Sequence, residues 1–139
     1  MAGFEYADVV RVQAREKSGQ GMAALPEGFY GNLNDLIERA RVEYEKLASV
    51  DSSTLKAAQT YGMIQKLRAC RWEITNVRCR KLLLMAHQAQ AGGSPDLTPL
   101  DAMERLAYEA VALNLKQMHE AIGAAKPPEK PATDGGEAK

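Results

Sequence analysis

Arg68, Arg71, Arg78, Arg80 and Lys81 form the most basic segment of the chain, and Glu73 alone interrupts it with an opposite charge. Arg71 and Arg78 are seven residues apart, which at about 100° per residue puts both on one side of a helix. Cations so arranged suit a patch for DNA or an acidic partner. The plainer reading is a set of interface and intrachain ion pairs. Eighteen basic and eighteen acidic side chains cancel across the chain, so no overall field gathers polyanions, and the charge balance favours ion pairing. The other reactive groups are dispersed. Cys70 and Cys79 fall on opposite faces of one predicted helix, unable to bond to each other or to share a metal there. They read as two reduced cysteines of an intracellular protein. His87 and His119 lie on different predicted helices, and His119-Glu120 has no third ligand at helical spacing. The sequence has no Gly-rich phosphate loop, Cys-x-x-Cys, His-Glu-x-x-His or nucleophile elbow. Catalytic, cofactor-binding and metal-binding residues are therefore all expected to be absent.

The elements that would carry these groups read as helices almost throughout. Phe4 to Glu16 is the first, closed by the loop Lys17-Ser18-Gly19-Gln20-Gly21; the run from Tyr6 to Val12 could also be a strand. Pro26 and Gly28 mark a turn before a second helix, Phe29 to about Ala48. Leu33, Leu36, Ile37, Ala40, Tyr44, Leu47 and Ala48 give that helix its apolar face. Asp51-Ser52-Ser53 offers N-caps for a third helix that runs to about Gln90 and stops at Gly92-Gly93-Ser94-Pro95. A fourth helix starts with Thr98 as cap, Pro99 at the first helical position and Asp101 in the first turn, and runs to about Ile122. The remainder is rich in Pro and Gly and reads as a disordered tail or linker.

The third helix carries two apolar seams. Met63, Leu67, Cys70, Ile74, Val77, Lys81 and Leu84 follow a 4-3-4-3 spacing, while Tyr61, Trp72, Cys79, Leu83 and Ala86 fall nearly opposite. A helix apolar on two sides is buried on two sides, and a small bundle covers one face well. A neighbouring subunit on the other face is the favoured expectation; coverage by the first helix or the N-terminal loop is the alternative. Lys81 in the middle of the first seam needs a carboxylate, with Asp35, Glu38, Asp101 and Glu104 as candidates. Tyr30, Tyr44, Tyr61 and Tyr108 are spread over the helices, as packing residues would be.

Three motifs occur in order: Leu25-Pro26-Glu27-Gly28-Phe29-Tyr30, the basic run Asn76 to Ala86, and Leu97-Thr98-Pro99. In these motifs the chain resembles the helical domain of the GINS proteins, non-catalytic scaffold subunits of the archaeal and eukaryotic replicative helicase. The likeness covers about residues 4 to 122. It implies an all-α, four-helix bundle domain over residues 1–123, with a short first helix and three long ones, and a tail or truncated linker over 124–139. It also implies a homo- or hetero-tetramer with other GINS-like subunits, and support of the MCM helicase together with a RecJ-related protein in DNA replication. Direct contact with nucleic acid would be weak or none. Phe29 and Tyr30 would anchor the start of the second helix, and Leu25, Pro26, Arg71, Trp72, Arg78, Arg80 and Lys81 would serve structure and interfaces. Family members of this type usually continue into a small β domain, so either that domain is absent or the chain is a fragment. The short form is closer to archaeal members. The compartment would be the cytoplasm, near the nucleoid in an archaeon, or the nucleus in a eukaryote.

With 139 residues, 45% hydrophobic and 26% charged, the chain has the size and make-up of one globular domain. No apolar run approaches the roughly 20 residues that span a bilayer, and the N-terminus has no signal-peptide pattern. A reading from another class is a small dimeric helical enzyme of the chorismate mutase type. Such an enzyme needs cations from several helices aimed into one pocket at a dicarboxylate, whereas most of the candidates here sit on one helix.

Overall fold

A computed structural model describes residues 3–125. It has four helices: α1 (Tyr6–Ser18), α2 (Phe29–Asp51), α3 (Leu55–Gln90) and α4 (Ala102–Ala124). No strand occurs among the described residues, so the segment from Tyr6 to Val12 is helical. The all-α expectation holds. The Pro- and Gly-rich tail lies outside the described residues, except that Gly123 and Ala124 belong to α4 and Ala125 follows as its C-cap.

Local chemistry sets the helix ends. Gly28 caps α2 at φ 69°, a left-handed conformation that a side chain at Cβ would strain. The Phe29 amide donates to the Pro26 carbonyl at 3.1 Å, so the Leu-Pro-Glu-Gly segment forms the turn into α2. Asp51 lies inside α2 rather than capping α3. Its carboxylate accepts from the Ser53 amide at 2.9 Å, and Thr54 caps α3 by accepting from the Ala57 amide at 3.1 Å. Thr98 is likewise not the cap of α4; its hydroxyl donates to Asp96 at 2.8 Å. Asp101 is the cap, accepting from the Glu104 amide at 2.8 Å while Glu104 accepts from the Asp101 amide at 3.1 Å. That reciprocal pair is a capping box.

α2 and α3 form an antiparallel hairpin around a core of Phe29, Leu33, Ile37, Leu67, Cys70 and Ile74, which Val9 and Val12 of α1 complete. A second cluster of Leu82, Ala86, Leu100 and Tyr108 joins the far half of α3 to α4. α4 runs in the same direction as α3. It begins with Glu104 beside Arg78 and passes Ala112, whose carbonyl accepts from Gln90 at the end of α3. At about 1.5 Å per residue, the last twelve residues of α4 reach roughly 18 Å past that level.

The buried residues of α3 are Ala57, Ile64, Leu67, Cys70, Ile74, Arg78, Leu82 and Ala86. From Cys70 onward they recur every four residues rather than alternating four and three. Each four-residue step turns about 40° around the axis, so the stripe winds from the side facing α1 and α2 to the side facing α4. This corrects the first predicted seam beyond Ile74: Val77 is only half-buried and Leu84 is 53% exposed. Of the opposite seam, only Ala86 is buried. Trp72 is 72% exposed, and Tyr61, Cys79 and Leu83 are also open. Neither α1 nor the N-terminal loop covers that face.

Candidate functional site

The basic segment of α3 meets the rest of the chain at Arg78, which is 1% exposed. All five of its N–H groups are engaged. Nε donates to Glu104 Oε2 at 2.7 Å and Nη2 to Glu104 Oε1 at 2.6 Å, a bidentate fork of the strongest kind. Nη1 donates to Glu16 Oε1 at 2.5 Å and to the Ala23 carbonyl at 2.6 Å, and Nη2 also reaches the Pro99 carbonyl at 3.0 Å. The Lys81 ammonium is equally occupied. It donates to the Glu16 carboxylate at 2.7 Å, the Glu16 carbonyl at 2.6 Å and the Gly21 carbonyl at 2.8 Å. Glu16 is fully buried and Glu104 nearly so.

Two cations and two carboxylates thus cancel inside the fold and connect every helix. Glu16 comes from α1, Arg78 and Lys81 from α3, and Glu104 from α4. Tyr30 of α2 donates its hydroxyl to Glu104 at 2.9 Å. The carbonyls of Gly21, Ala23 and Pro99 draw the α1–α2 and α3–α4 loops onto the same centre. Burial works against the charge of Arg78, but the hydrogen bonds and field of Glu104 and Glu16 hold its pKa above the ordinary arginine value. Burial likewise works against the ionised form of Glu104, but the hydrogen bonds from Arg78, the Asp101 amide and Tyr30, together with the Arg78 charge, outweigh it and lower its pKa. Burial first, and then the neighbouring Glu104 charge, raise the Tyr30 hydroxyl well above its usual range.

Several expectations are corrected here. Lys81 pairs with Glu16, not with Asp35, Glu38, Asp101 or Glu104; α1 crosses α3 at this level, a placement no helical spacing within α2 or α4 reveals. Arg78, absent from the predicted seam, is a buried member of the α3 stripe. Arg80 is exposed and in no ion pair among the described residues. Arg71 is half-buried and donates to Asn34 at 2.9 Å, apart from the Arg78 cluster. Glu16, Glu104, Asp101 and Tyr30 complete the network; Tyr30 stood among the candidates, Asp101 and Glu104 only as possible partners of Lys81, and Glu16 not at all. A capping-box pattern at Asp101 and Glu104 was the signal available for two of the others.

The expected anchors Phe29 and Tyr30 pack at the start of α2. Phe29 is 2% exposed and packs edge-on against Phe4 and Tyr30. Leu25 is half-buried beside it, while Pro26 is exposed. Residues 24–31 and 98–103 line one cleft of about 510 Å³, so two of the sequence motifs meet in space. Cys79, Leu83, Met103 and Ala107 help line a second, mostly apolar groove of about 470 Å³ between α3 and α4. No three His, Cys, Asp or Glu side chains converge as a metal site among the described residues, and no helix there is long and apolar enough to cross a membrane. Compared with protein-family models, curated proteins and solved structures, the chain matches none.

Proposed function

We propose that this chain is a non-catalytic scaffold subunit of a GINS-like assembly that supports the MCM helicase during DNA replication. One observation carries the non-catalytic part. Each N–H of the buried Arg78 and Lys81 is spent on the chain's own carboxylates and carbonyls. A site for an anionic substrate needs cationic donors with nothing yet to bind, and this cluster leaves none. Its chemistry is that of a clamp, which sets the relative positions of four helices. The assembly part rests on apolar surface. Trp72 at 72%, Met103 at 73%, Leu106 at 63% and Leu113 at 54% exposure belong to the class of side chains that interfaces bury. The replication role and its partners, an MCM ring, a RecJ-related protein and further GINS-like subunits, come from the motifs at Leu25–Tyr30, Asn76–Ala86 and Leu97–Pro99. The test is affinity purification of the tagged chain from its own cells, with mass spectrometry of the retained proteins. Enrichment of MCM and a second GINS-like subunit supports the reading; neither protein above the untagged control overturns it.

A further inference from the structure

α4 carries two seams. The inner one, through Tyr108, packs on α3. The outer one is Met103, Leu106, Ala110, Leu113 and Gln117, spaced 3-4-3-4 and exposed throughout. That is the a/d repeat of a coiled coil. The residues one place ahead of its a positions, at coiled-coil g sites, include Glu109 and Lys116. Neither is in an ion pair or side-chain hydrogen bond among the described residues.

We infer that two copies of this chain pair through α4, antiparallel, around a two-fold axis between Val111 and Ala112. The register follows from the sequence. With the axis there, Leu113 of one copy faces Ala110 of the other, Leu106 faces Gln117, and each large side chain meets a smaller or flexible one. The same register brings Glu109 of each copy to Lys116 of its mate, twice, on the flank of the seam. A parallel pair would set Glu109 and Lys116 against the e positions Asn114 and Ala121, with no charge to match.

The fold leaves the outer face of α4 open to this pairing. Val111 and Ala112 lie level with the end of α3, and Leu115, one turn on, is the last α4 side chain packed on the bundle, so the helix projects beyond it. In the antiparallel pair, each projecting half lies along the bundle-borne half of the other copy, and the two bundles extend in opposite directions. The paired stretch of about 18 residues spans roughly 27 Å, a small interface of the weak class. The inference goes beyond the replication reading and does not depend on it, since the seam would pair whether or not a helicase is the client.

The test is sedimentation velocity of the full chain under reducing conditions, from about 5 to 200 µM, the range in which weak interfaces populate. The wild type is expected to pass from monomer to dimer. Glu109→Lys and Lys116→Glu should each weaken the dimer by about tenfold, because each turns two attractive contacts into two repulsive ones. The double variant E109K/K116E should return to within about threefold of wild type. On one helix the two residues are a full heptad apart and do not touch, so this rescue can come only from the other copy. Leu113→Asp should leave a monomer of unchanged melting temperature. A wild type that stays monomeric to 200 µM overturns the inference, as do dimers indifferent to Leu113→Asp or to the single charge changes. Failure of the double variant to recover overturns the antiparallel register.

Discussion

Replacing Arg78 by methionine keeps an unbranched apolar stem in the buried site, shortens it by the guanidinium, and removes the charge and all five donors. What remains is a fully buried Glu16 carboxylate with Lys81 as its one cation, and Glu104 with only the Tyr30 hydroxyl and the Asp101 amide. The carbonyls of Ala23 and Pro99 lose a donor as well. Removing one member of a buried ion cluster costs about 3–5 kcal/mol, because the partners stay behind uncompensated. For a domain of this size about 1 kcal/mol corresponds to roughly 3–5 °C, so the melting temperature should fall by about 10–20 °C. Urea unfolding at pH 7 should show the midpoint moving by about 2 M with little change in slope. Arg78→Lys, which keeps the charge but offers three donors rather than five, should lose about half as much. Adding Glu104→Gln to Arg78→Met should cost at least about 1 kcal/mol less than it does alone, since the fork is already gone. A melting temperature for Arg78→Met within about 3 °C of wild type would show that the cluster does not hold the helices together.

Lys81→Ala should destabilise by about 1–3 kcal/mol, less than Arg78→Met, because Lys81 is 12% exposed and Arg78 still answers Glu16; equilibrium unfolding ranks the two. Asp101→Ala removes the capping box of α4 and should cost about 1 kcal/mol by thermal melt. Tyr30→Phe should cost about 1–2 kcal/mol through the lost hydrogen bond to the charged Glu104, read from the urea midpoint. The folded-state pKa of Glu104 is depressed from an ordinary value of 4.5, so its contribution is present above about pH 4.5 and is lost as pH falls through the depressed value. Melts between about pH 7 and pH 3 should show that loss in wild type and a reduced one in Glu104→Gln.

The four helices were legible because their signals are local. Gly28, Gly92 and the Thr98-Pro99 start, three residues ahead of the true cap Asp101, punctuate the chain, and the apolar face of α2 runs in helical register from Leu33 to Ala48. The cores around Phe29, Leu33, Leu67 and Ile74 follow from that same periodicity. The winding of the α3 stripe was not legible, because it depends on which helix covers each half: α2 against Leu67 and Cys70, α4 against Leu82 and Ala86. The tertiary partners of Arg78 and Lys81 were hidden for the same reason. Glu16 sits among exposed neighbours at the end of α1, and only the crossing of α1 over α3 turns it into a buried carboxylate. The outer seam of α4 could have been read from its spacing. Its exposure could not, because a helix apolar on two sides gives no sign of which side its own chain will cover.

The central claim, a scaffold that binds a helicase through folded surface and performs no chemistry, is tested most directly with the purified chain and the purified MCM ring from the same cells. Binding should be saturable at micromolar concentrations or below in an interferometry assay, and Trp72→Ser should weaken it by about tenfold without lowering the melting temperature, since Trp72 is 72% exposed and lies in neither core cluster. No binding at tens of micromolar, with or without the other GINS-like subunits, would contradict the claim.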